Sequence, residues 1–496
     1  MLEYLSSPDK PFGPFNFIHE YNLSHAKNLT FTNWPCLYVI PLIPLGVQAY
    51  LLQFENTRRW RLALGALGLG LIVKAWCDYR FVDITLSAFN QGITVGVLHL
   101  AAKYIEFSFY PNPIYDPRLP LGRSRILAAI DLCVNSRVID LSRMGLDNFS
   151  PSNTFQPSNP LESLVSGSNH KKPLAHASLQ NAEDNQSRSI KSERSDDVAE
   201  HQTAGKTHSH PRYLPTRPAH RLTRSQAVWR HARLALFQYT INDFLLTLLQ
   251  VYGSNSIADP HGCPNALYKF SHEHKFQVFP YTPFSFNSPV WLVELSMELS
   301  VGLAVYLGLS QGYHFLAALA VGSGMWETES WEVDLFDSPW KADSVLDLWG
   351  KRWHQLFRHH FTLLSSLLLR FLNLPQSSPL FLPISVITIF AGSGSMHVIG
   401  ELSSYPVPPP IPIFNYFVLS GFACSLEVLF RRVTGRKVRG WWGRAWTWAF
   451  MLYTSRKVMI AWLDAGMAGG VLNQPALGSV IAKVVAKWVV VAVPVA

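Results

Sequence analysis

Long apolar runs alternate with short polar or charged segments along most of the 496-residue chain. A helix needs about 20 mostly apolar residues to cross a bilayer, so this pattern predicts an all-α, polytopic integral membrane protein with roughly eight transmembrane helices. The run at 289–322 is long enough for one tilted helix or for two short ones. The candidate runs lie at residues 36–54, 62–77, 82–102, 232–251, 289–322, 361–374, 379–394, 411–430, 445–463 and 475–495.

A polar stretch interrupts the apolar pattern in the first half of the chain. Its centre, residues 150–220, is rich in Ser, Asn, Pro, His and mixed charge and almost lacks large apolar side chains. This composition is typical of disorder, because too little apolar surface is available for burial. The chain is therefore predicted to have four parts. These are an N-terminal segment at 1–35, a first group of transmembrane helices at 36–102, a polar disordered insert at 103–228 and a transmembrane core at 229–496.

Charge supports the membrane prediction. Charged residues make up only 15% of the chain, against about 25% in typical soluble domains, and a lipid-facing surface explains the deficit. The net charge of +9 would favour nucleic acid as a partner in a soluble protein, but here Lys and Arg lie mostly between apolar runs. That placement favours topology determinants and contacts with membrane lipids instead. The five cysteines are scattered without a CxxC pair, which argues against a disulfide framework or a zinc site.

Basic loops set the predicted topology. By the positive-inside rule the basic loops and the insert are cytosolic, and the N-terminus is lumenal. The first thirty residues are polar, so no cleavable signal peptide is expected and the first span acts as an uncleaved signal. The lumenal sequons at Asn22 and Asn28 are then glycosylation candidates, or chance matches. The short runs around Pro375 must form one broken crossing or include a re-entrant piece.

A dense polar and aromatic segment lies at residues 331–361. Asp343 or Ser344 can cap a helix that begins near Val345, and His354 would lie on that helix. The segment therefore predicts an amphipathic helix at the membrane interface, in which His354 is either functional or incidental to headgroup anchoring. Its apolar face would be formed by Leu346, Trp349, Trp353 and Leu356.

A second polar intrusion, at residues 392–401, ends an apolar run. His397 and Glu401 are four residues apart and can share one helix face, where Glu401 could orient the imidazole. Ionisable groups inside a membrane are costly and indicate function, although a structural hydrogen bond to a neighbouring helix would also explain them. No metal is expected, because His359, His360 and His397 lack a spacing typical of ligands and no carboxylate cluster completes a shell.

Together the two segments resemble a known family. The pattern Pro-x-x-x-Asp-Ser-Val-x-Asp-Leu-Trp-Gly-Lys-Arg-Trp-His-Gln-Leu-Phe-Arg ends at Arg358, and an element of the type Ser-x-x-Met-His-x-x-Gly-Glu follows about forty residues later. This combination is similar to the wax synthase-like branch of the membrane-bound O-acyltransferases, which includes fungal acetyltransferases of terpenoid and meroterpenoid pathways. The motif similarity covers residues 326–402.

The resemblance implies transfer of an acyl group, acetyl in particular, from acyl-CoA to a hydroxyl of a lipophilic acceptor in the endoplasmic reticulum. It implies no tightly bound cofactor, since acyl-CoA is a co-substrate. By motif matching, His397 corresponds to the membrane-embedded catalytic His, and His354 takes the place of a second catalytic polar group. The basic residues could meet CoA phosphates or equally anchor lipids. The expected substrate-binding residues are Trp349, Lys351, Arg352, Trp353, Gln355, Arg358 and Glu401.

Two alternatives stay open at this point. Long-chain acyl-CoA and a fatty alcohol would make the chain a wax ester synthase. A membrane transporter is an alternative of another class, for which inverted repeats or paired broken helices are typical. The short runs flanking Pro375 are the only such sign, and the first half of the chain contains no matching pair.

Overall fold

The computed structural model describes residues 26–110, 113–114, 116, 119, 122–134, 222–273, 275–278, 285–286, 289–471 and 476–492. Helices dominate these residues. They are α1 (Trp34–Leu37), α2 (Val39–Leu51), α3 (Arg58–Asp78), α4 (Phe89–Phe109), α5 (Arg125–Val134), α6 (Arg224–Gly253), α7 (Ala266–Glu273), α8 (Val290–Gly322), α9 (Val345–Asp347), α10 (Arg358–Phe371), α11 (Phe381–Glu401), α12 (Pro410–Thr434), α13 (Gly440–Asp464) and α14 (Leu477–Trp488). Short strands form two small sheets. They are β1 (Lys27–Asn28), β2 (Tyr79–Arg80), β3 (Lys275–Val278), β4 (Ser285–Phe286) and β5 (Val489–Ala492).

Six helical stretches in the described part of the chain are long and apolar enough to cross a membrane. This finding confirms the all-α polytopic prediction. The predicted run at 289–322 is one helix of 33 residues, about 50 Å long at 1.5 Å per residue, which fits the tilted-helix alternative. The six stretches are the continuous Trp34–Leu51, α3, α6, α8, α11 and α12.

The region around Pro375 contains two unequal helices. Helix α10 has 14 residues and is about 21 Å long, too short to cross, whereas α11 has 21 residues and continues to Glu401. The two helices pack against each other. A short helix packed on a full-length one fits a re-entrant piece better than a crossing broken into equal halves.

The predicted last span, 475–495, is wrong. Helix α14 has only 12 residues, and the chain then turns into β5, which pairs antiparallel with β3. Twelve residues make a helix of about 18 Å, shorter than the hydrocarbon core. Helix α14 instead packs along α6, where the Ser479 N–H and hydroxyl donate to the Asp243 carboxylate at 2.5 and 2.7 Å.

The core also extends into the stretch predicted as the polar insert at 103–228. Helix α4 continues to Phe109, and α5 packs on α2. Apolar burial explains both, since Tyr104, Phe107 and Leu132 are each at most 2% exposed. The centre of the predicted insert, residues 150–220, lies outside the described residues.

Local signals at the helix ends match the sequence. Helix α6 begins with a capping box in which Thr223 accepts from the Gln226 N–H and the Gln226 side chain accepts from Thr223. Helix α12 begins at Pro410 and ends at Thr434. It is followed by Gly435, whose φ of 68° is in the left-handed region. Basic residues in its last turn interact favourably with the negative end of the helix dipole.

The predicted glycosylation candidates differ in what the structure says of them. Asn22 lies outside the described residues, and Asn28 lies in β1 with an exposed side chain. The Asn28 Oδ1 atom accepts from the Val82 N–H at 3.1 Å. Glycosylation of either residue stays a prediction.

Helices α3 and α4 cross closely at a glycine. A Cβ atom at Gly68 would lie 2.0 Å from Tyr104 Cε1, so no larger residue fits without moving that ring. Tyr104 is fully buried, and its hydroxyl donates to the Pro41 carbonyl. Its ring therefore has little freedom to yield.

Replacing this glycine tests the crossing. We expect Gly68→Ala to destabilise the protein by about 1–3 kcal/mol, because overpacking outweighs the higher helix propensity of Ala. The measurement is the thermal unfolding midpoint in detergent. Gly70→Ala is the matched control in the same helix, since a Cβ there meets nothing within 4 Å. Equal midpoints for the two variants would contradict the close crossing.

Candidate active site

The polar motif segment that ends at Arg358 is held by a carboxylate from a membrane helix. The N–H groups of Val345 and Leu346 donate to Glu427 Oε1 and Oε2 at 2.8 and 2.9 Å. The indole N–H of Trp446 donates to Glu427 Oε1 at 2.8 Å. Because Glu427 is only 7% exposed, these bonds are shielded from water and tie α9 to both α12 and α13.

The same segment closely approaches α13. A Cβ atom at Gly443 would lie 2.0 Å from the Asp343 carbonyl oxygen, so the absence of a side chain permits the contact. The Gly440 N–H donates to Asp343 Oδ2 at 3.3 Å. Of the two predicted cap candidates, Ser344 caps the helix start, accepting from the Asp347 N–H at 2.8 Å.

The prediction of a long amphipathic helix beyond Val345 is wrong. Helix α9 lasts only three residues and passes into a π-helical turn, Leu348–Arg352, after which Trp353 is extended. A π turn widens the backbone and redirects the following side chains. Trp349 and Trp353 therefore do not share one continuous helical face, and His354 lies in the short non-helical stretch before α10.

The basic residues predicted to bind substrate have partners inside the segment. Lys351 Nζ lies 3.5 Å from Asp337 Oδ2, and Arg352 pairs with Asp347. Arg358 Nη2 donates to the Gly350 carbonyl at 2.8 Å. These contacts brace the loop around the π turn.

Gln355 has a similar bracing role. Its Nε2 donates to the carbonyls of Trp353 and Trp349 at 2.6 and 3.1 Å. Both acceptors precede it by a few residues, so the side chain closes the loop on itself. Of the predicted binding residues, Gln355 and the basic ones are thus tied to backbone or carboxylate groups of residues 337–353.

His397 lies on α11, half-buried against an aromatic ring. Its imidazole stacks on Phe417 with centroids 4.7 Å apart and an interplanar angle of 9°. No hydrogen bond to the His397 ring occurs among the residues that the structure describes. Stacking fixes the plane of the ring but leaves its nitrogens available to a ligand.

The predicted pairing of Glu401 with His397 is wrong. Glu401 is 1% exposed, and its Oε1 accepts from the Trp462 indole N–H at 2.6 Å. The carboxylate therefore joins α11 to α13. Four-residue spacing placed the two side chains near one face, but the nearby indole of another helix is the partner that Glu401 contacts.

An aromatic cluster connects the two candidate histidines. His354 contacts the rings of Trp353 and Phe336 at centroid distances of 5.5 and 5.7 Å. Trp353 in turn lies 5.7 Å from Trp349, which lies 5.7 Å from Phe417. His354 and His397 thus lie at opposite ends of one contiguous cluster, joined through rings from α11, α12 and the motif segment.

Trp349 occupies the middle of this cluster and carries a polar atom. Its ring also contacts Phe390 and Tyr416, at 5.8 and 6.1 Å. The indole Nε1 is buried and has no hydrogen-bond partner among the described residues. A buried donor left in this state is uncommon, and it is available to an acceptor atom of a bound substrate.

A further group of ionisable residues lies at the start of α10, directly after the motif segment. His359 Nε2 lies 2.7 Å from Glu106 Oε1, and His360 Nδ1 lies 3.9 Å from Glu106 Oε2. Across the described residues, this trio alone meets the geometry of three potential metal ligands from His, Cys, Asp or Glu. Glu106 supplies the carboxylate that the sequence did not place beside these imidazoles.

Sequence reasoning missed the residues that support the motif. Glu427 and Phe417 lie in an apolar run, and Glu106 lies 253 positions before His359. A carboxylate inside a predicted span was a usable signal for Glu427, because such groups are expensive in a bilayer. Phe417 offered no signal, since one aromatic residue in a span is ordinary.

The site also matches known proteins. Residues 331–421 match the membrane bound O-acyl transferase family. This stretch includes both His354 and His397, together with α10, α11 and half of α12. The resemblance predicted from the sequence is thereby confirmed over this segment.

Curated relatives of the chain are fungal acetyltransferases. Acetyltransferase spyB of Aspergillus fumigatus is 27% identical over 196 residues, which are 39% of this chain and 30% of the relative. Acetyltransferase ataH of Aspergillus terreus is 32% identical over 148 residues, 28% of this chain and 48% of the relative. Acetyltransferase atnC of an Arthrinium species is 34% identical over 116 residues, 22% of this chain and 26% of the relative. The matches span less than half the length of each of these relatives.

Removing the Glu427 carboxylate tests how the motif segment is held. We expect Glu427→Ala to lower the stability by about 1–3 kcal/mol, because buried backbone N–H groups lose their acceptors. Glu427→Gln, which keeps one oxygen, should lose less. Thermal unfolding in detergent measures both. The control is Glu55→Ala at an exposed position; a loss there as large as at Glu427 would contradict the assignment.

Proposed function

We propose that this chain is an integral-membrane O-acyltransferase that moves an acetyl group from acetyl-CoA to a hydroxyl of a lipophilic secondary metabolite, terpenoid or meroterpenoid in type. The observation that carries the proposal is the aromatic cluster joining His354 and His397 within the matched family segment. The names of the relatives, all acetyltransferases, support acetyl as the transferred group. The endoplasmic reticulum is the proposed membrane.

His397 is the proposed general base. An alcohol is a weak nucleophile near neutral pH, and removing its proton during attack supplies about two to four orders of magnitude in rate. The alcohol oxygen attacks the thioester carbonyl while His397 takes the hydroxyl proton. The resulting oxyanion collapses, the C–S bond breaks, and the proton passes to the departing CoA thiolate. Ester and CoA are the products.

Trp349 is the proposed oxyanion donor. Its buried indole N–H has no protein partner among the described residues and lies in the cluster that reaches His397 through Phe417. A donor held rigidly in a water-poor site stabilises negative charge on the carbonyl oxygen as it develops. His354, at the other end of the cluster, is the second polar group of the proposed site and is proposed to contact acyl-CoA there.

The proposed route for CoA is the cytosolic face of the motif segment. Lys351 and Arg352 keep their side chains partly accessible, with 26% and 17% of each exposed. Both are held by carboxylates of the same segment, so their charges are preorganised. CoA phosphates could bind these two side chains, while Trp353, Gln355 and Arg358 maintain the loop.

Substitution of His397 is the central test. We expect His397→Ala to lower turnover by about 10²–10⁴-fold while the protein still inserts and folds. The assay supplies microsomes with labelled acetyl-CoA or a long-chain acyl-CoA, together with a terpenoid alcohol or a fatty alcohol. The control is His261→Ala at an exposed position. Turnover near wild type in His397→Ala would refute the catalytic role, and ester formed only from the long-chain donor would refute acetyl transfer.

A subtler substitution tests the oxyanion donor. Trp349→Phe keeps an aromatic ring and removes the N–H, so we expect kcat to fall about 10²–10³-fold with little change in KM. Trp442→Phe, at an exposed indole, is the matched control. An unchanged kcat, or a loss confined to KM, would show that Trp349 only fills space.

A further inference from the structure

Helices α4 and α10 meet at a cluster of potential metal ligands that the proposed acyl transfer does not use. Glu106 comes from α4, and His359 and His360 begin α10. Their ligand atoms all lie within 4.8 Å of one another. Glu106 is 7% exposed and both imidazoles are half-buried, so the three groups face each other within the protein.

One carboxylate oxygen of Glu106 lacks a hydrogen bond. The Oε1 atom lies 2.7 Å from His359 Nε2, but Oε2 is buried and has no hydrogen-bond partner among the described residues. The His360 Nδ1 atom lies 3.9 Å from Oε2, beyond hydrogen-bond range. Ligand atoms of a tetrahedral zinc ion, with bonds of about 2.0–2.1 Å, are separated by roughly 3.4 Å. A shift of about half an ångström would therefore let both atoms share a cation.

His99 orients the His360 ring for this role. His99 Nδ1 and His360 Nε2 lie 3.0 Å apart in a hydrogen bond. When His360 Nε2–H donates to His99, the lone pair of His360 Nδ1 points at the carboxylate. Two lone pairs that face each other repel, and a cation between them removes the repulsion. A hydrogen bond on the second ring nitrogen is also the usual arrangement of a metal-binding His.

Other charged groups lie around the trio. Arg123 lies within 3.6 Å of three carboxylates, and the ammonium of Lys103 lies over the Phe107 ring at 5.4 Å. Arg61 donates to the Phe107 and Tyr110 carbonyls, at the end of α4 and just beyond it. The carboxylates are those of Glu106, Asp116, Asp131 and Glu327, and the cations are those of Arg61, Lys103 and Arg123.

We propose that Glu106, His359 and His360 bind a divalent transition-metal cation of the zinc type. Two imidazoles and one carboxylate suit zinc, which accepts such mixed nitrogen and oxygen shells. The cation exchanges the His359–Glu106 hydrogen bond for coordination bonds and ties α4 to α10. His99, on α4, also contacts Phe357, with ring centroids 5.7 Å apart. A metal link between α4 and α10 therefore supports the end of the motif segment as well. The proposal does not depend on acyl transfer.

Metal content tests the site directly. The full-length protein, purified in detergent and equilibrated with micromolar zinc, should retain about one zinc per chain by elemental analysis. Glu106→Gln and His360→Ala should fall to about a fifth of that or less. His99→Gln should weaken zinc binding by about 10–100-fold, because it removes only the orienting partner. His261→Ala, an exposed imidazole, is the control and should keep full occupancy.

A second measurement uses the unaltered protein, so that it does not depend on the folding of variants. A chelator should lower the thermal unfolding midpoint of the wild type, and zinc but not magnesium should restore it. Wild-type zinc content equal to that of Glu106→Gln would overturn the proposal. So would a midpoint that neither chelator nor zinc moves; the trio would then be an ion pair between Glu106 and protonated imidazole.

Discussion

The carboxylate of Glu427 accepts from two consecutive backbone N–H groups and one indole, and the candidate site is built outward from this contact. A charge buried in a membrane helix is unfavourable unless its oxygens are satisfied. Here the oxygens receive the orphan donors at the start of α9, and the positive end of that turn offsets the negative charge. The polar motif segment is thereby held against α12 and α13 instead of lying loose at the membrane surface.

Placement of the two histidines depends on this attachment. The π turn follows the anchored turn directly, and the ionic and carbonyl contacts of Arg352, its last residue, brace the loop that carries His354. Trp349 then projects among the rings of α11 and α12, next to the Phe417 ring that stacks on His397. Aromatic rings contribute much of this contact because they bury a large area and keep few rotamers.

The other end of the motif segment is held by contacts between a carboxylate and imidazole rings. Helix α4 carries Lys103 and Glu106 into the core, where His359 and His360 of α10 meet the carboxylate. The His359–Glu106 contact pairs one oxygen of this buried carboxylate, which reduces the cost of burying it. The segment between Val345 and His360 is thus attached at its start by a carboxylate of α12 and at its end by a carboxylate of α4. Both attachments use side chains remote in sequence.

Apolar run length and charge placement sufficed to predict an all-α membrane protein, because a bilayer admits few solutions for a chain with such runs. The motif residues around His354 and His397 were likewise recognisable, and local chemistry limited the cap to Asp343 or Ser344. Three features required the tertiary structure. The first is the end of the motif helix at a π turn. The others are the pairing of Glu401 with Trp462 and the contact of Glu106 with His359. Each depends on helices that pack side by side. The last apolar run also became a short helix and a strand, because α6 and β3 offered it partners. Periodicity describes which face of a helix is apolar, but it does not specify which distant side chain will supply the hydrogen bond that a buried polar atom needs.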